Sequence, residues 1–321
     1  MTRTRLAHLA AATLVAAALV AAPLPAAAAV DAGGAAWSVG PVVRDGEQRG
    51  HFDYALEPGQ VVDDTFAVRN DGAATLTLRV YPADAFTTRE GTIDLLPADT
   101  ASVDSGTWIR LAHEQVTVEP GQTVEVPFTL TVPTEARPGD HPAGIVTSLL
   151  SADDDAQVQV DRRLGTRVYL RVAGELTPAV EMSEPTVSFD GIWNPLALGA
   201  VDIEYTLRNT GDTRLAAVAA SAVHGPFGVA AVGTGTQQLP EILPGSEVEV
   251  SQRLTGVAAL LWLGGDITVV PASVGVGAEQ LETVMVPIST AAVPVVTLLI
   301  LLALACAVFA VVVVVRRRRA L

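Results

Sequence analysis

The chain has 321 residues, with 20 basic side chains (all arginine), 35 acidic ones, one cysteine and a formal charge of −15. So acidic a protein repels nucleic acid and anionic lipid, which argues against both as ligands. A lone cysteine excludes a disulfide framework.

In chain order, Met1-Thr2-Arg3-Thr4-Arg5 is followed by an uncharged run from Leu9 to Ala22 and by Ala26-Ala27-Ala28-Ala29. A basic start, an apolar stretch and small residues at the end predict a secretory signal peptide over 1–29. All acidic residues follow it, and the expected exported part, 30–288, carries 14 basic against 35 acidic residues, a net −21. The field suits solubility in a crowded wall or binding of cations and basic partners, and a solvated acidic surface is the simplest reading. The heavy use of Ala, Val and Gly without lysine points to a GC-rich genome.

Strand patterns dominate that part. Phe66 and Val68 alternate with polar neighbours, Asn70-Asp71-Gly72 supplies a turn, and Leu76, Leu78 and Val80 resume the alternation. Period-two patterning around Asp-Gly predicts half-buried antiparallel strands. Pro120-Gly121 leads into Val124, Val126, Phe128, Leu130 and Val132 on one face; Pro127 falls on the other, as near a sheet edge. In the next strand Val168, Leu170 and Val172 point inward and Arg167, Tyr169 and Arg171 outward.

The plan then repeats. Val201, Ile203, Tyr205 and Leu207 alternate with polar residues and end at Asn209-Thr210-Gly211; Pro244-Gly245-Ser246-Glu247-Val248-Glu249-Val250 repeats Pro120-Gly121-Gln122-Thr123-Val124-Glu125-Val126. Two signatures in the same order predict two copies of one unit. The fold class is therefore all-β: two Ig-like β-sandwich domains, 30–176 and 177–288, the first with an insertion around Phe86 to Trp108. From Ala291 to Val315 no residue is charged, and Arg316 to Arg319 follow. That length crosses a bilayer core of roughly 30 Å, and the arginines favour the cytoplasmic side. The expectation is a transmembrane helix over 289–315, a cytoplasmic tail at 316–321 and a type I surface protein held in the cell membrane, with the second domain on the bilayer. Cys306 lies in the span, and no LPxTG-type sorting motif precedes the end, Leu243-Pro244-Gly245-Ser246 being far upstream.

The order of several motifs carries a family resemblance. Phe52-Asp53-Tyr54-Ala55-Leu56-Glu57-Pro58-Gly59-Gln60 leads to Val68-Arg69-Asn70. Val118-Glu119-Pro120-Gly121-Gln122 and the strand ending Val132-Pro133 come next. Gly139-Asp140-His141-Pro142-Ala143-Gly144-Ile145-Val146 and Gly165-Thr166-Arg167-Val168-Tyr169-Leu170-Arg171-Val172 close the series. Residues 36–176 thereby resemble the peptidoglycan-binding domain of the WxL-interacting proteins of Gram-positive bacteria, here of a high-GC, actinobacterial type. The resemblance implies a signal-bearing, membrane-anchored protein with two Ig-like domains, the first associated with the cell wall.

No catalytic signature stands out. The exported part has four histidines, His51, His113, His141 and His224, none in metal-binding spacing, which reads as surface or turn histidines. Nucleophile elbows and phosphate loops are missing, and a glycosidase-type carboxylate pair stays open because separations are invisible in sequence. Asp153-Asp154-Asp155 with Asp161 could hold Ca²⁺, but the liganding spacing of an EF-hand is absent and a solvated loop tip is the simpler reading. The binding candidates are Tyr81, Trp108, Arg167, Tyr169 and Arg171, since aromatic faces pack on sugars and guanidinium forks pair with carboxylates. The expected function is thus non-enzymatic binding of peptidoglycan, with no catalytic residue, metal or cofactor. The alternative is a scaffold that pairs a sheet edge with another secreted protein.

Overall fold

The structure, a computed structural model, describes residues 35–43, 46, 49–150, 160–191, 197–275 and 277–319. The expected signal peptide and Asp153-Asp154-Asp155 lie outside them.

Ten strands build the first sandwich: β1 (Trp37–Pro41), β2 (Phe52–Leu56), β3 (Val61–Asn70), β4 (Leu76–Thr87), β5 (Ile93–Leu95), β6 (Ile109–Leu111), β7 (Gln115–Val118), β8 (Thr123–Thr131), β9 (Gly139–Leu150) and β10 (Asp161–Val172). One sheet runs β1-β3-β8-β6; the facing sheet runs β2-β10-β9-β4, with β5 and β7 each pairing part of β4. Pairing is antiparallel except for β2, which lies parallel to β10. The alternating apolar residues do what their period requires. Phe66, Val68, Leu78, Val80, Val126, Leu130, Val168 and Leu170 all turn into one core, where Phe52 meets Phe128 edge-on at 5.0 Å. The extra length of this half returns across β4 as β5 and then as a 3-10 turn, Ser105–Trp108.

The second sandwich contains β11 (Val180–Met182), β12 (Thr186–Asp190), β13 (Gly199–Asn209), β14 (Leu215–His224), β15 (Val232–Gly233), β16 (Gln237–Gln238), β17 (Glu247–Val257), β18 (Leu261–Ser273) and β19 (Val284–Ala292). In one sheet β13 lies between β17 and the pair β11 and β12; in the other the order is β15-β14-β18-β19, with β16 also on β14. Ile203, Leu207, Leu254, Leu263 and Ile267 fill its core. Buried Tyr205 has its phenol pushed up to about 12 by desolvation.

The turn after β3 corrects one expectation. Asn70-Asp71-Gly72 does not close a hairpin: β3 and β4 belong to opposite sheets, so the turn is a corner between layers. β13 and β14 are likewise in opposite sheets on either side of Asn209-Thr210-Gly211. A chain that changes sheets leaves buried carbonyls without ladder partners, and the asparagine amide satisfies them. Asn70 Nδ2 donates to the carbonyls of Ala74 and Val118, and its Oδ1 accepts from Gly72 N–H. Asn209 does the same with Thr213, Ile242 and Gly211. The Pro-Gly turns complete the device, because Gly121 N–H donates to Asn70 O and Gly245 N–H to Asn209 O. Both glycines need the left-handed backbone, φ +72° and +76°. The two repeated sequence signatures are therefore halves of a single clasp.

Strand β19 runs to Ala292, and helix α1 (Val295–Arg319) follows. The uncharged run is thus shared between a strand end and a helix. That helix is long and apolar enough to cross a membrane, and none of it is buried against the sandwiches.

Candidate functional site

Between the sandwiches lies an open cleft of about 650 Å³, lined by Asp104, Arg137, Asp140, His141, Glu175, Arg208 and Asp212 among others. Its wall on the first sandwich is set by Asp84 at the end of β4. Burial of a loop demands acceptors for its amides, and the Asp84 carboxylate takes three: Val103, Asp104 and Gly106 at 2.7, 2.9 and 2.6 Å. Gly106 is required there, since a Cβ would sit 2.7 Å from the Asp84 nitrogen. This cradle aims Asp104 at His141 Nδ1, 2.8 Å away, while His141 Nε2 faces the Arg137 carbonyl at 2.9 Å.

Both ring nitrogens therefore face acceptors, which only an imidazolium can satisfy. Burial pulls the His141 pKa down, but the Asp104 carboxylate and the Arg137 carbonyl outweigh it and hold it above its usual value. Trp108 packs beside the ring, centroids 4.7 Å apart. The reading of His141 as a surface histidine is corrected here: it is 5% exposed and serves as a charged pin beneath the cleft. With both nitrogens engaged it is no free general base.

Next to it, Asp140 fastens the two sandwiches. Its amide donates to Asp212 O, and its carboxylate accepts two bonds from the Arg171 guanidinium, at 2.8 and 2.7 Å, and one from Arg214 N–H at 2.8 Å. Arg171 also reaches the Val274 carbonyl, and the Arg214 guanidinium lies 4.0 Å above the Tyr169 ring. A second seam joins the β4 end to the turn before β17. Thr87 is buried, donates from Oγ1 to Glu241 O, accepts from Leu243 N–H, and gives its own N–H to Ser246 Oγ. Glu249 N–H adds a bond to Arg89 O.

These contacts relocate most of the sequence-based candidates. Tyr169 and Arg171 do point away from their own core, as the alternation requires, but the second sandwich covers that face and both belong to the joint. Tyr81, on the face opposite Leu78 and Val80, is only 9% exposed, covered with Val146 by Leu95, Leu96 and Ala98 of the inserted segment. Trp108 is half-buried against the core and His141. Arg167 stays exposed and reaches the Tyr169 hydroxyl. Asp140, Asp104, Arg214 and Asp212 escaped sequence reading; an acid beside a histidine in Gly139-Asp140-His141 was the available signal, and only its partners give it meaning. Among the described residues no group of three or more His, Cys, Asp or Glu is placed to hold a metal ion. Asp161 accepts from Ser148 Oγ.

Chemically, the cleft offers the exposed guanidinium groups of Arg137 and Arg208 beside Asp104, Glu175 and Asp212. Such a lining hydrogen-bonds a polar ligand rich in hydroxyls, amides, amines and carboxylates.

Residues 38–148, about a third of the chain, match the family model described as WxL Interacting Protein, peptidoglycan binding domain. The match ends inside β9, so β10 and the second sandwich lie beyond it. No curated protein matches the chain. Solved structures it is similar to include the class 5 fimbriae chaperone CfaA (8% identity, 78% of this chain and 98% of that one, TM-score 0.37). A chain of the CsuC–CsuE chaperone–tip adhesion subunit pre-assembly complex of Acinetobacter baumannii shows 11% identity over 78% and 98%, TM-score 0.38. A chain of the Salmonella enterica SafA pilin–SafB chaperone complex shows 10% over 79% and 96%, TM-score 0.35.

Proposed function

We propose that this protein is a non-enzymatic cell-surface protein that binds peptidoglycan with its first sandwich and is held in the membrane by α1. The observation that carries the reading is the match of residues 38–148 to a peptidoglycan-binding domain model. Helix α1 supports anchoring, with Arg316 to Arg319 on the cytoplasmic side. The leader at 1–29 is removed on export, and both sandwiches face the wall.

The joint supports a mechanical role for the second sandwich. Two polar seams, each with buried hydrogen-bonded groups, fix one sandwich on the other, so a load on the first passes to the anchor without a flexible linker. In this reading the first sandwich meets the carboxylates and hydroxyls of stem peptides and glycan at the cleft it shares with the second, through Arg137 and, from the second sandwich, Arg208. Sedimentation of the detergent-solubilised full chain with insoluble wall sacculi tests this. The chain should pellet, and the double variant Arg137→Ala/Arg208→Ala should pellet less. A wild-type chain that stays in the supernatant beside an unrelated acidic control defeats the proposal.

A further inference from the structure

The far end of the second sandwich, away from the joint, has a different surface. β14 ends at His224, β18 begins at Leu261 and β19 ends at Ala292, and the registers His224↔Gly264 and Leu261↔Ala292 place these termini at one end of the sheet. Gly199, where β13 begins, pairs with Val257 at the same end of the other sheet. Leu198, Phe227, Val229, Leu261 and Trp262 lie there, all strongly exposed; among the described residues of this sandwich only Met285 is a further exposed large apolar side chain. Phe227 is wholly exposed.

The same end carries little charge: Asp190, opposite Ala200 and bonded to Arg253, is the acid at its edge. No charged residue occurs from Gly191 to Val201, from Gly225 to Pro240, from Leu254 to Gly265 or from Thr283 to Val315, in a protein whose remaining surface is strongly acidic. Among the described residues, every non-glycine with positive φ is also here: Phe227 (+59°), Ala230 (+52°) and Leu261 (+72°). Only Val293 and Pro294 separate Ala292, the partner of Leu261, from α1, so the helix begins within about 11 Å of Ala292.

We infer that this end is a membrane foot: Phe227, Val229, Leu198, Leu261 and Trp262 enter the headgroup–acyl boundary of the bilayer that α1 crosses. The inference rests on the anchoring proposed above and adds which residues touch lipid. An indole and a phenyl ring suit that boundary, where one side is apolar and the other wet. Scarcity of charge is what an acidic protein needs at the one surface pressed against anionic headgroups, and Arg253 offsets the one acid at its edge. The occupant is fixed by geometry, because a spanning helix that starts beside these side chains leaves the bilayer surface directly beneath them.

The test uses the full chain in phosphatidylcholine vesicles, with Cys306→Ser as background and single cysteines at Leu198→Cys, Val229→Cys and, as a distant control, Glu125→Cys on β8. Each carries an environment-sensitive fluorophore, and part of the lipid bears a nitroxide at a shallow acyl position. Flotation of the vesicles reports anchoring separately. The labels at 198 and 229 should lose at least about half of their emission to the quencher, as expected for interfacial insertion, while the label at 125 keeps it. Adding Phe227→Asp and Trp262→Asp should restore emission at 198 and 229 with flotation unchanged. Floating protein whose three labels respond alike overturns the foot and spares the anchor. Protein that fails to float overturns both.

Discussion

Asn70 and Asn209 occupy equivalent corners of the two sandwiches, with the same amide bonds and the same Pro-Gly clasp, yet their surroundings differ. At the first corner Asp71 is exposed and stays within its own sandwich: its carboxylate pairs with Arg69 at 2.9 Å and bonds Ser38, and its amide donates to Ala36 O. At the second, Asp212 receives the Thr177 N–H and hydroxyl through its carboxylate, and its carbonyl takes the amide of Asp140 from the other sandwich. One local device thus does two jobs. It turns the chain between layers in both copies, and in one copy its outer surface has become a docking face. A corner solved by an asparagine amide leaves the residues after it to bond whatever lies outside the turn.

The largest effect should come from Asp140→Ala, which strips the docking face of its anion. It takes from Arg171 and Arg214, both mostly buried, the carboxylate they share, leaving Arg214 with Glu241 and Arg171 with the Val274 carbonyl, and should cost about 3 kcal/mol in denaturant unfolding. Limited proteolysis should show the sandwiches separating before either unfolds; a loss below about 1 kcal/mol would mean the joint is not held by this charge.

Next come the corners themselves. Asn70→Ala and Asn209→Ala each remove a fully buried amide with three hydrogen bonds and should each cost about 2–3 kcal/mol. Near-equal values would show that the corner is a local device. A clearly larger value for Asn209 would show that docking depends on it as well.

A third test exploits an ion site in the first sandwich. Buried Asp64 is pushed up by desolvation, but Arg49, Tyr54 and the Thr65 amide overcome this and bring it to about 2. Its folded value lies below its unfolded one, so the contribution is present above about pH 4 and is lost as pH falls toward 2. That amounts to about 2 kcal/mol, and Asp64→Asn should abolish this part of the acid dependence in a thermal melt series.

The smallest effect concerns His141. Its pKa is raised in the folded protein, so its stabilisation is fully present below about pH 6.5 and fades as pH climbs through the higher folded value. His141→Asn should flatten the slope of melting temperature between pH 6 and 8 relative to the parent.

Several features needed no coordinates. Alternation placed Phe66, Leu78, Val126, Leu170 and Ile203 inside, because side chains in a strand take opposite faces in turn and only one face can be dry. The repeated Asn-x-Gly and Pro-Gly signatures announced two copies of one unit, and the uncharged run with four arginines announced α1. What the pattern left undecided is what lies over an outward face. Arg171 and Tyr169 are outward by period and covered in fact, His141 and Asp140 look like turn residues and are buried, and Asn70-Asp71-Gly72 looks like a hairpin but changes sheets. Period two is a property of a single strand, read from neighbours in the chain. Covering a face, pairing an acid with an arginine from another sandwich, or joining a turn to a second turn fifty residues away depends on groups that meet only when the sheets pack.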